Sequence, residues 1–130
     1  MILDIHTGFQ SLLSDANLEI DIQYENTSYQ PKLKTAFGIF KLGAVATERQ
    51  GQGACSCLLY SGEATFTIKT DIKTGVNEAC GIADKLITFI MENGLYSGLK
   101  MIEPPYVGET EQEFDWLVLP IFIPFQKDSI

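Results

Sequence analysis

The sequence predicts an α+β domain, with a mainly antiparallel sheet of four to six strands and two helices packed on one face. Three observations carry this. Apolar residues recur at helical spacing in two separate segments, 2–16 and 76–91. Between and after them the apolar period falls to two, or the chain turns into short apolar runs punctuated by Gly, Pro and Asn. The whole is 130 residues long, the size of a single domain spanning 1–130, with no internal repeat, linker or low-complexity run.

The elements follow in order. In 2–16, Ile2, Phe9, Leu12, Leu13 and Ala16 share a face, with Asp4, Gln10, Ser14 and Asp15 between them; Asp15 and Asn17 are stop residues. From Leu18 the alternation Leu18, Ile20, Ile22, Tyr24 against Glu19, Asp21, Gln23, Glu25 predicts a half-buried strand. A slip of one residue would turn its polar side chains into the core. Residues 26–31 read as a loop. Residues 33 to about 46 read as extended, with Gly38 and Gly43 marking bulges or close approach. The polar run 47–53, with Gly51 and Gly53, reads as an exposed flexible tip. Residues 54–60 and 64–72 read as two strands or one long bent strand, with Ala64, Phe66, Ile68, Thr70 and Ile72 on one face. Val76, Ala79, Cys80, Ala83, Leu86, Ile87, Ile90 and Met91 then form one helical stripe, which should lie flat on the sheet and stop at Asn93-Gly94. A short strand is expected at 99–102 and an acidic loop at Glu109, Glu111, Glu113 and Asp115. A last strand runs from Trp116 to about Phe125, and its two prolines predict an edge position or a bulge.

Composition narrows the function classes. Nine Lys and Arg face 17 Asp and Glu, a formal charge of −8, so general nucleic-acid binding through a basic face is excluded. Hydrophobic residues at 45% and charged residues at 20% exclude intrinsic disorder. The longest apolar stretch, 117–125, is broken by Pro120 and Pro124 and falls short of the ~20 residues a membrane helix needs. The first residues lack the basic and apolar regions of a signal peptide. Three cysteines, an odd number, read as reduced thiols of a cytosolic product.

Candidates for chemistry are thin. His6 is the single histidine and has no nucleophile near it in sequence, so the plain reading is a helix residue and the alternative a general base. Cys55 and Cys57 share a strand face, but zinc wants four ligands at wider spacing, and Cys80 reads as a packing residue in the helix stripe. Gln50-Gly51-Gln52-Gly53 lacks the Lys-Ser/Thr ending of a phosphate loop. The acidic set at 109–115 lacks the spacing of a calcium loop. No cofactor or metal is expected. What stands out is the run 117–125, apolar on both faces. Either a neighbouring subunit covers one side, or the strand is central and its own chain covers both.

The landmarks also follow a familiar order. Ile22-Gln23-Tyr24-Glu25-Asn26-Thr27-Ser28-Tyr29-Gln30-Pro31 is followed by Arg49, by Tyr60-x-Gly62 and by an alternating strand ending near Gly75. Ala79, Ile82-Ala83-Asp84-Lys85-Leu86 and Phe89 come next, then Pro104-Pro105-Tyr106-Val107-Gly108, then the closing run 116–125. Over residues 18 to 126 this resembles the tail terminators, the tail-completion or tail-tube capping proteins of phages with long non-contractile tails. The Gly-Gln-Gly tip is a departure that bears on hairpin length.

The resemblance implies a structural virion protein with no enzymatic activity, assembled in the host cytoplasm and carried in the tail. It implies a homo-hexameric ring that caps the major tail tube protein, stops polymerisation and offers the surface to which a head-completion or connector protein docks. DNA would pass through without specific binding, and no membrane is involved. On that reading Arg49, Gln50 and Gln52 are candidates for contact with tube or neighbour. Trp116 and Phe122 are candidate interface anchors, and Glu109, Glu111 and Glu113 are candidates to line the bore. The alternatives are another ring of the same neck, or a small α+β ligand-binding module or enzyme.

Overall fold

Three long strands frame the molecule, and two amphipathic helices cover one side of them. The computed structural model describes residues 2–24, 35–50, 57–74, 76–96 and 98–128. The chain runs α1 (Ile2–Ala16), β1 (Asp21–Gln23), β2 (Phe37–Gln50), β3 (Cys57–Asp71), a 3-10 turn (Ile72–Thr74), α2 (Val76–Glu92), β4 (Leu95–Tyr96), β5 (Leu99–Lys100), β6 (Tyr106–Val107), β7 (Glu111–Glu113) and β8 (Trp116–Asp128). Strand order is β1-β2-β3-β8-β5-β4, and β6 and β7 also pair with β8. The β1–β2 pairing is parallel, and all the others among the described residues are antiparallel. The α+β class and the two-helix layer are as the sequence predicts. The sheet is curled and has eight strands, five of them only two or three residues long.

The helices form because their apolar residues fall on one side. In α1, Ile5, Phe9, Leu12, Leu13 and Ala16 are buried, while Ile2 is largely exposed. Asn17 ends it in the left-handed region (φ 52°), its N–H donating to the Ser14 carbonyl at 3.2 Å. Leu18 stays in the core, and the strand expected at 18–25 shortens to three residues of β1. In α2 the buried line is Ala79, Ala83, Leu86 and Ile90. Val76, Cys80 and Met91 are exposed, so the stripe is narrower than the sequence suggests and Cys80 is no core residue. Asn93 closes α2, its amide nitrogen donating to the Phe89 carbonyl at 2.8 Å.

Under the helices lies a continuous apolar layer. Ala64, Phe66 and Ile68 of β3 and Ile121, Ile123 and Phe125 of β8 are fully buried there. Phe9 joins α1 to two strands at once, its ring 5.2 Å from Phe40 of β2 and 5.2 Å from Phe125 of β8. Gly38 is required by this packing. A Cβ there would press into the Phe66 ring, so β2 can cross that ring only without a side chain.

Three expectations change. The tip predicted from residue 47 begins later, because β2 continues through Arg49 and Gln50 and β3 is one long strand from Cys57. A bulge at Gly43 and Ala44, opposite Glu63, bends the pair midway. The acidic loop is instead a hairpin arm: Glu111–Glu113 pairs with Trp116, Leu117 and Val118 through a turn at Phe114 and Asp115. And β8 is neither an edge nor bulged. It pairs with β3 without interruption from Trp116 to Asp128 and with β7, β6 and β5 on its other side. The prolines allow this because a strand residue's N–H and C=O point the same way. The Pro120 carbonyl accepts from the Gly108 N–H at 2.9 Å, so its missing N–H belongs to the β6 side, not to the β3 ladder. Pro124, four residues on, has the same parity and lies between the registers of β6 and β5. The loop at 26–31, the tip at 51–53 and Cys55 lie outside the described residues.

Candidate assembly surface

The sheet's second face bears no layer among the described residues. Register places Phe37 beside Lys69 and Val118, Ile39 beside Thr67 and Pro120, and Lys41 beside Thr65 and Phe122. Trp116, Val118, Pro120 and Phe122 are half-buried, and Phe37 is buried. Of the two readings of the closing strand, the pairing shows the central position. The helix side of the strand is covered by its own chain, and its opposite side keeps accessible aromatic and proline surface.

Specific contacts fix this face. The Phe37 and Trp116 rings meet edge-on at 5.1 Å across β3. Tyr106 stacks on Phe122 with centroids 5.0 Å apart, and its hydroxyl donates to Glu63 Oε2 at 2.9 Å. That hydrogen bond, together with the carboxylates of Glu63 and Glu103, holds the Tyr106 phenol above its ordinary pKa. Lys69 pairs with Glu113 at 3.2 Å, tying the β7 arm across β8. The pattern is an apolar centre with a charged rim, the usual anatomy of a protein interface.

The predicted site residues do not form one group. Trp116 and Phe122 share the open sheet face, six residues apart on β8. Glu111 and Glu113 are exposed on β7, and Glu109 is exposed just before it. Arg49 is exposed on β2 and pairs in register with Leu58 at the far end of the β2–β3 arm. Gln50 belongs to the same strand, and Gln52 lies outside the described residues. Sequence reasoning missed Phe37, whose ring completes the Trp116 cluster; only strand register reveals it. It also missed Phe114, whose ring is 88% exposed at a turn with φ 55°. A bulky residue between acidic ones in a short hairpin was the available signal.

The remaining candidates for chemistry are dispersed. His6 is half-buried, with its ring edge-on to Phe40 at 6.4 Å. Cys80 is a free thiol on the surface of α2. Among the described residues no three His, Cys, Asp or Glu side chains cluster for a metal, and no helix is long and apolar enough to cross a membrane. An open cleft of about 710 Å³ lies at the β4–β5 end, lined by Leu95, Gly98, Lys100 and Lys127 among others.

The architecture defines a class, an α+β domain in which two helices back a curled, mostly antiparallel sheet. Eight solved chains match it. One of them superposes with a TM-score of 0.70 at 19% sequence identity, covering 98% of this chain and 95% of its own. At that identity the likeness is one of fold alone. No family model and no curated protein matches the chain.

Proposed function

We propose that this chain is a structural component of a phage tail, a ring-forming cap that ends the tail tube and receives the head. The observation that carries this is the sheet face that bears no layer among the described residues. Trp116 and Phe122 are half-buried on this face of β8, the buried Phe37 ring packs against Trp116, and Lys69, Glu113 and Glu63 rim the patch. A monomer gains nothing by keeping such a patch wet, whereas assembly concentrates its energy in a few large side chains. The order of landmarks over residues 18 to 126, which resembles that of the tail terminators, suggests the particular assembly. Charge agrees with the role: six copies of a −8 chain make a strongly acidic ring that DNA phosphates would not adhere to.

Deleting the gene from its phage and viewing the lysate by electron microscopy tests the reading. Filled heads separate from tails of uneven length are expected, and a copy in trans should restore joined particles. Normal joined virions from the deletion would overturn it.

A further inference from the structure

We infer that residues 106–114 form a strap that lifts from β8 as a unit while the rest of the chain stays folded, baring Pro120 and Phe122 on the open sheet face. The opening belongs to the single chain and does not depend on the tail reading.

Burial does little to hold the strap. From Tyr106 to Phe114 every residue is exposed except Gly108, which is half-buried. Its backbone pairing is short, two residues in β6 and three in β7. The register against β8 also shifts by one residue between them. On the other side of β8, β3 pairs without a break from Leu59 to Asp71. Segments with few buried apolar contacts and exposed backbone bonds open at a lower free energy than the whole domain.

Pro120 removes a bond from the middle of the strap. Register sets Gly108 opposite Pro120, and the Gly108 N–H donates to the Pro120 carbonyl at 2.9 Å. A regular antiparallel pair of this kind exchanges two bonds. Proline has no N–H to return to the Gly108 carbonyl.

Both ends are fixed. Pro105, just before the strap, is buried, and the Asp115 carbonyl, just after it, accepts from the Ile72 N–H at 3.1 Å. Between these anchors two side-chain contacts reach across β8 to β3, Tyr106 to Glu63 and Glu113 to Lys69. Both lie at the surface, where such contacts hold weakly. Beneath them the Tyr106 ring stacks on Phe122. Gly108 lies so close that a Cβ would stand 2.9 Å from Pro120 Cγ and 3.0 Å from Phe122 Cε2. The extent of the aromatic face therefore has two states. Closed, Pro120 and Phe122 are roofed; open, they extend the face that begins at Trp116.

Amide hydrogen exchange followed by NMR on the full chain tests this. The Pro120 carbonyl points to the strap, so by the alternation of a strand the amides of Val118 and Phe122 point there too. Those of Leu119, Ile121 and Ile123 point to β3. Gly108, Val118 and Phe122 should exchange through one shared opening that denaturant barely alters, since it exposes little surface. Leu119, Ile121 and Ile123 should exchange only with global unfolding. Ile68→Val, a change in the core, should lower protection of the second set about twofold to tenfold and leave the first unchanged. Gly108→Ala, whose methyl presses on Pro120, should lower protection of the first set about fivefold or more. Pro120→Ala supplies the missing donor and should raise it. One common opening for both sets, a first set that follows Ile68→Val, or either strap variant failing to move the first set in its stated direction would overturn the strap.

Discussion

Gly38 and Tyr106 show how single residues set the two faces of the sheet. Gly38 is buried on β2 where a methyl group would collide with the Phe66 ring, itself fixed in the helix-side core. Gly38→Ala is expected to destabilise the chain by about 1–3 kcal/mol through overpacking, measured by denaturant unfolding. Tyr106 works on the open face. Its hydroxyl donates to Glu63, and its phenol is held above the usual pKa. The folded value is raised, so the contribution to stability is fully present below the ordinary tyrosine pKa of about 10 and is lost as pH rises through the folded value. The difference in phenolate absorbance between wild type and Tyr106→Phe should titrate above that ordinary value, and Glu63→Gln should bring it down. An unchanged midpoint in Glu63→Gln would remove the hydrogen bond from the account.

At the scale of elements, the β7–β8 hairpin is where the chain departs from its own local preferences. Phe114 holds a left-handed backbone that Gly adopts at no steric cost. Phe114→Gly is expected to raise the stability of the chain by about 0.5–1 kcal/mol, seen as a higher thermal midpoint. The helices were legible from the sequence because 3.6-residue spacing repeats over four turns or more, and the bounds of α1 agree with the structure. The fate of β8 was not legible. Two prolines argue against a central strand, and only the pairing shows that both missing donors fall on the side served by short strands. The acidic arm was missed for a related reason. Glu111–Glu113 has no apolar alternation, because it is held by ladder bonds to β8 and the Lys69–Glu113 pair, not by burial.

For the whole molecule, the proposed reading has function carried by surfaces, and surfaces are what a sequence states least directly. The sequence marked Trp116 and Phe122 as candidate interface anchors from an apolar run too long for one core layer; in the structure both are half-buried on the same face of β8. It did not mark Phe37 or Phe114, since the first joins by register and the second by standing alone at a turn. The ring reading rests on one feature of the monomer, the half-buried aromatic face of β8 that bears no layer among the described residues. Its most direct test is growth of tail tubes from the tube subunit of the same phage, with and without this chain, and with lengths measured by electron microscopy. The account predicts that added chain halts elongation and leaves a ring of its own mass at one tube end. Tubes that grow to the same length distribution, with bare ends, would contradict it.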